Sequence, residues 1–208
     1  FFNSTPFHND PGRVIYLTTE DGVGDTLKPR MRACGANMEN IATVIDDEAS
    51  LTFDSPEIEG FVKEFSPDLI IFDPFQSYIG ENVEMNAANK TRSVLNHIVA
   101  LAEKYNIFII SDDVHADFNF TQKQHQTISS ISSYVAQNSF ICTSPAKTFN
   151  MAGLEIANIV IANDKYREQF KLALIAAGIH NPGYFSVPAF LCAYRHGDSW
   201  LAALKDYL

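Results

Sequence analysis

Four residues in the second half of the chain carry groups that could do chemistry together: Asp112, His115, Ser144 and Lys147. Asp112 directly follows the apolar run IFIIS, and His115 stands three residues further on. Ser144 directly follows the run SFICT, and Lys147 stands three residues beyond it. A lysine amine can serve as nucleophile or base, and a carboxylate can hold a proton. Open α/β sheets bind ligands at the carboxyl ends of their strands, where such residues would gather. Two acids in the first half obey the same rule: Glu20 after RVIYLTT and Asp73 after LIIF. Each residue also has a plainer reading. Lys147 fits a solvated surface lysine. Asp112 fits a turn cap, as Glu20 and Asp73 fit caps of the turn or helix that follows. His115 fits a hydrogen-bonded structural histidine.

The elements that must position these residues follow from hydrophobic periodicity and turn chemistry. Short β-branched and aromatic runs predict strands at 13–18, 41–45, 68–72, 107–110, 139–143 and 156–162. Helical spacing and start or stop signals predict helices at 26–34, 55–65, 87–104, 164–177, 184–194 and 198–207. Ser55-Pro56 opens the second of these, because proline suits the first helical position and acids follow it in the first turn. The alternation implies an α/β fold, a layered, mostly parallel sheet with helices on both faces. The strands near 13–18, 69–72, 107–111, 139–143 and 156–162 are expected to share one sheet.

The 208 residues suffice for one large or two small domains, and 46% hydrophobic with 19% charged residues is an ordinary globular balance. Charge is uneven. Residues 1–104 hold 8 basic and 17 acidic side chains, a net of −9; residues 105–208 hold 7 and 8, a net of −1. That asymmetry points to two segments of different origin, with a seam at Lys104-Tyr105-Asn106 and no Gly/Ser/Pro linker. The acidic total argues against a nucleic-acid surface, which needs a basic stripe. No long uncharged apolar run suggests a membrane span, and the first residues do not read as a signal peptide. Cys34, Cys142 and Cys192 have neither zinc spacing nor the even number of a disulfide framework, so a reducing cytoplasm is expected.

The stretches IFIISDDVHADF, CTSPAKTFNMAGLEIANIVIAND and GIHNPGYFSVPAFLCAYRHGDSWLAALKDYL resemble the cystathionine β-lyase-like (C-S lyase) branch of the class I/II aminotransferases. The resemblance covers about residues 105–208. It implies pyridoxal 5'-phosphate (PLP) as cofactor, a small amino-acid substrate, carbon–sulfur lyase chemistry and a homodimer. It implies Lys147 as the catalytic lysine that carries PLP. Asp112 would hold the proton on the pyridine nitrogen, and Ser144 would hydrogen-bond the phosphate. His115 would lie near the phenolic oxygen. Asp113 stands where the family tends to have glutamate, and Glu155 where glutamine is common. The family's glycine-bearing phosphate loop and its asparagine-proline motif find no counterpart here, so PLP is expected to attach weakly.

The stretches PGRVIYLTTEDGVGDTLKPRM and DLIIFDPFQSYIGENVEMNAANKTRSVLNHIVALAEKYN resemble RecA-like P-loop ATPases of the plasmid-replication hexameric helicase branch. That resemblance covers about residues 10–104. It implies ATP and Mg²⁺, with Glu20 polarising the attacking water and Asp73 holding the metal through water. The phosphate-cradling G-x-x-x-x-G-K-[ST] loop expected before Arg13 is not found in residues 1–12. The chain thus reads as a chimera: a RecA-like segment at 1–104 and an aminotransferase-like segment at 105–208, expected to pack as one unit. Three functions follow as alternatives: a PLP enzyme, an ATPase fragment, or a folded domain without turnover.

Overall fold

The computed structural model describes residues 12–19, 21–43, 51–53, 55–73, 75–78, 88–120, 125–179 and 181–208. Glu20, the tail of the strand expected at 41–45, and the residues preceding Gly12 lie outside them. The described residues divide into two compact units, Phe1–Ile107 and Phe108–Leu208. The division falls three residues beyond the seam expected at 104.

In the first unit, β1 (Val14–Thr18) pairs in parallel with β2 (Ile41–Thr43) on one side and β3 (Leu69–Asp73) on the other. The chain between them forms α1 (Lys28–Ala33) and α2 (Pro56–Phe65). Pro56 occupies the first turn of α2 and Glu57 and Glu59 follow it, as the sequence pattern requires. Ser66 ends α2 in the left-handed conformation, at φ 47°. Ile15, Leu17, Phe53, Tyr78 and Val94 form the buried core. Phe53 meets the ring of Phe72 edge-on and that of Phe75 at a tilt, both at 4.6 Å between centroids, so aromatic contacts close the layer over β3. The long helix α3 (Ala88–Tyr105) completes the unit. Lys104 and Tyr105 at its end both reach Oε1 of Glu59 on α2, at 2.6 and 2.7 Å. Their hydrogen bonds, with a further one from Lys63, lower the Glu59 pKa to about 2.

In the second unit, β4 (Ile109–Asp112) and β5 (Ser139–Thr143) are parallel. β6 (Asn158–Val160) runs antiparallel to β5. Its α-helices among the described residues are α4 (Ser133–Gln137), α5 (Pro145–Thr148), α6 (Asp164–Ala176), α7 (Ser186–His196) and α8 (Asp198–Tyr207). Side-chain caps start several of them. Ser132 accepts from the Val135 N–H and Asn163 from those of Lys165 and Tyr166. After α5 the chain turns through two residues with positive φ, Asn150 at 52° and Glu155 at 47°.

The fold class is the expected one, α/β with mostly parallel strands. The expectation of one shared sheet is corrected: among the described residues, backbone hydrogen bonds assemble two three-stranded sheets, β2-β1-β3 and β4-β5-β6. The apolar runs reveal that strands exist, but every buried run looks alike, so they do not say which strands pair. Among the described residues, no helix is long and apolar enough to cross a membrane.

Candidate functional site

The two segments singled out in the second unit meet at the carboxyl edge of the parallel pair β4/β5. Asp112, the last residue of β4, stands in register with Cys142 on β5. One more backbone bond, from Asp113 N–H to the Cys142 carbonyl at 2.8 Å, carries the ladder past the strand end. Two tight turns then follow, closed by Ala116 N–H to Asp113 O and Phe118 N–H to His115 O, each at 3.0 Å. Across from them, Ser144 caps α5 and Pro145 occupies its first turn.

Asp112 is exposed and accepts a hydrogen bond from the Val114 N–H at 3.1 Å. Its cap of the turn is therefore real, and it leaves the second carboxylate oxygen outside that bond. His115 is exposed, with its ring 6.3 Å from that of Phe118. Lys147 is exposed, whereas Pro145 and Thr148 on the same short helix are buried. Ser144 is buried. Its hydroxyl donates to the Ile156 carbonyl at 2.6 Å and accepts from the Ala146 N–H at 3.1 Å.

A cavity of about 380 Å³ opens beside these turns, lined in part by Asp113, Asp117, Ser144, Asn158 and Tyr194. Of the four residues expected at a site, Ser144 borders this cavity; Asp112, His115 and Lys147 stand outside its lining. Side chains alternate across a strand, which separates Asp112 from Asp113 by one face. Asp113 is held by Ser111 Oγ at 2.6 Å and by His125 Nε2 at 3.1 Å. Burial raises the Asp113 pKa, but the hydrogen bonds from His125 and Ser111 and the imidazolium charge outweigh it, and the net shift is downward. The same bond raises the His125 pKa, with burial opposing and the charges of Asp113 and Asp117 assisting. Burial raises the Cys142 thiol, and the nearby charges of Asp112 and Asp113 add to it.

Thr148 is wholly buried and donates to Asp117 Oδ2 at 2.8 Å. Its neighbour Phe149 meets Tyr194 of α7 at 5.6 Å and Trp200 of α8 at 5.8 Å. Sequence reading noted Asp113 as a departure from the family pattern without giving it a site role, and missed Asp117, His125 and the role of Thr148. The partners of the Thr148 bond lie 31 residues apart, and no local pattern announces such a pair.

In the first unit, Asp73 ends β3 and accepts from the Tyr16 hydroxyl at 2.8 Å. Glu20, its expected companion at an ATP site, lies outside the described residues. Among the described residues no group of three or more His, Cys, Asp or Glu side chains is arranged to hold a metal ion.

Comparison with known families matches residues 1–111 to the AAA domain and residues 85–196 to aminotransferase class I and II. Cystathionine beta-lyase PatB of Bacillus subtilis is 31% identical over 118 residues, 57% of this chain and 30% of that protein. Protein MalY of Escherichia coli is 32% identical over 110 residues, 52% of this chain and 27% of that protein. The chain thus spans less than a third of the length of these relatives. The crystal structure of cystalysin from Treponema denticola, which contains a pyridoxal 5'-phosphate cofactor, superposes with a TM-score of 0.66 at 20% identity. That likeness covers 94% of this chain and 46% of cystalysin, and it concerns the fold.

Proposed function

Because the chain belongs to the aminotransferase class I and II family through residues 85–196 and to the AAA domain family through residues 1–111, we propose that it is a two-part chain whose second unit carries a partial PLP-binding site. The supporting observation is geometric. Lys147 is the exposed residue of a helix whose other face is buried, and that helix follows the strand bonded in register to the one ending at Asp112.

The residues present suit two ends of the cofactor. Lys147 Nζ would hold the aldehyde carbon, and the Asp112 carboxylate would hold a proton on the ring nitrogen. His115 would lie toward the phenolic oxygen. The phosphate end is less well served. A hydroxyl has one proton, and that of Ser144 is committed to the Ile156 carbonyl. When bound, PLP supplies a protonated ring that withdraws electrons from a substrate's Cα. With the amine of an amino-acid substrate in its place on the aldehyde carbon, the freed Lys147 amine would be the base that removes the Cα proton, toward loss of a β-thiol as in a carbon–sulfur lyase. We expect attachment to be weak and turnover slow or absent. The same reading brings a small amino-acid substrate, a cytoplasmic location and a homodimer as expectations.

The test is incubation of the chain with PLP, borohydride reduction and peptide mapping. Label should concentrate on Lys147 over the other lysines, and Lys147→Ala should abolish that excess. Equal labelling of all lysines would overturn the proposal and leave the lysine and aspartate as marks of ancestry.

A further inference from the structure

We infer that the hydrogen bond from buried Thr148 to half-buried Asp117 sets the rotational phase of α5, making Thr148 and Asp117 positioning residues for the Lys147 amine. The inference rests on the reading that Lys147 holds the cofactor, and it deepens that reading. A helix of four residues has too few internal bonds to fix its own orientation. In α5 they amount to little: Phe149 N–H reaches Pro145 O at 2.9 Å, and Met151 N–H reaches Ala146 O at 3.0 Å. What turns Lys147 outward must come from outside the helix.

Three contacts do this from three directions. At the start, the Ser144 hydroxyl is tied to Ile156, just before β6. At the end, the rings of Tyr194 and Trp200 hold Phe149. Between them Thr148, with no exposed surface, is fastened to Asp117. The first two contacts bracket the helix and limit how far it can shift along its axis. Only the third acts on a residue adjacent to Lys147 and from the buried face, so it resists rotation about the axis. Asp117 itself belongs to the double turn that begins at Asp113, directly after Asp112. One hydrogen bond therefore couples the segment bearing Asp112 and His115 to the segment bearing Lys147. Breaking it on one side leaves a half-buried carboxylate oxygen without its donor, which opposes any return to the same packing.

The test uses Thr148→Val, which keeps the shape and removes the hydroxyl, and Thr148→Ser, which keeps the hydroxyl. The first readout needs no cofactor: hydrogen exchange at the Phe149 and Met151 amides, with folding verified by circular dichroism. Thr148→Val should speed that exchange on the order of tenfold, the factor of one hydrogen bond, while Thr148→Ser stays near the parent. The second readout is the share of reduced PLP label on Lys147 relative to the other lysines in the same sample. It should fall by a similar factor in Thr148→Val and recover in Thr148→Ser. A purely structural threonine would lower the melting temperature of Thr148→Val and leave both readouts as in the parent, which would overturn the inference. If the parent shows no preference for Lys147 yet exchange still responds, the ligand reading fails and the clamp stands. If Thr148→Val does not fold, Asp117→Asn takes its place. A neutral acceptor should give a several-fold weaker effect of the same sign, and no effect would overturn the inference.

Discussion

Asp113 and His125 form a pair whose worth depends on pH. The folded pKa of His125 lies above its ordinary 6.5, so its stabilisation is complete below that pH and is lost as pH rises through the folded value. The folded pKa of Asp113 lies below 3.8, so its stabilisation is complete above that pH and is lost as pH falls through the folded value. Both contributions are therefore present between 3.8 and 6.5. The His125 side chain is 42% exposed, and solvent screening limits the pair to about 0.5–1 kcal/mol. His125→Gln should cost that much at pH 5.5 and little at pH 9, measured by urea unfolding at each pH. An equal cost at both would show that the imidazolium charge is irrelevant. Residue types with chemical potential were legible in the sequence: Asp112, His115, Ser144 and Lys147 all lie at or just past strand ends. Their partnerships were not. Nothing in Ser144 announces that Ile156 takes its proton, because that contact exists only once the chain has turned back on itself.

Elements were easier to read than partners where they were long or strongly patterned. The strand expected at 139–143 is β5, the helix expected at 55–65 is α2, and those at 164–177 and 198–207 are α6 and α8 within a residue. The strand expected at 107–110 starts two residues later. Asn106 adopts a left-handed turn and the Ile107 N–H still bonds back to Ala102. The short helices α4 and α5 escaped detection because one turn carries no periodicity. They depend on tertiary contacts, and Gly197 between α7 and α8 supplies a test. A Cβ there would lie 2.3 Å from the Phe149 ring and 2.4 Å from the Ala193 carbonyl oxygen. Its φ of −87° is open to any residue, so the obstacle is space alone. Gly197→Ala should therefore destabilise the second unit by about 1–3 kcal/mol through overpacking. An unchanged urea midpoint would show that Phe149 can move aside freely.

At the scale of the molecule, two families share one chain, and their matches overlap at residues 85–111, the stretch that contains α3. A helix leading into a strand is common to both architectures, which explains how one segment satisfies both patterns. No G-x-x-x-x-G-K-[ST] occurs anywhere in the 208 residues, so a triphosphate lacks its backbone cradle and lysine. The chain should release no phosphate from ATP with Mg²⁺ above a buffer blank; turnover abolished by Glu20→Gln would refute this. The left-handed Glu155 has a different kind of consequence. A bulky residue at φ 47° holds on the order of 1 kcal/mol of backbone strain. Asparagine tolerates that conformation without the extra chain freedom of glycine. Glu155→Asn should raise the melting temperature by a few degrees, as calorimetry would show. Such unrelieved strain is mutational headroom: a lineage that made this one exchange could tolerate a damaging replacement elsewhere in the unit and keep its fold.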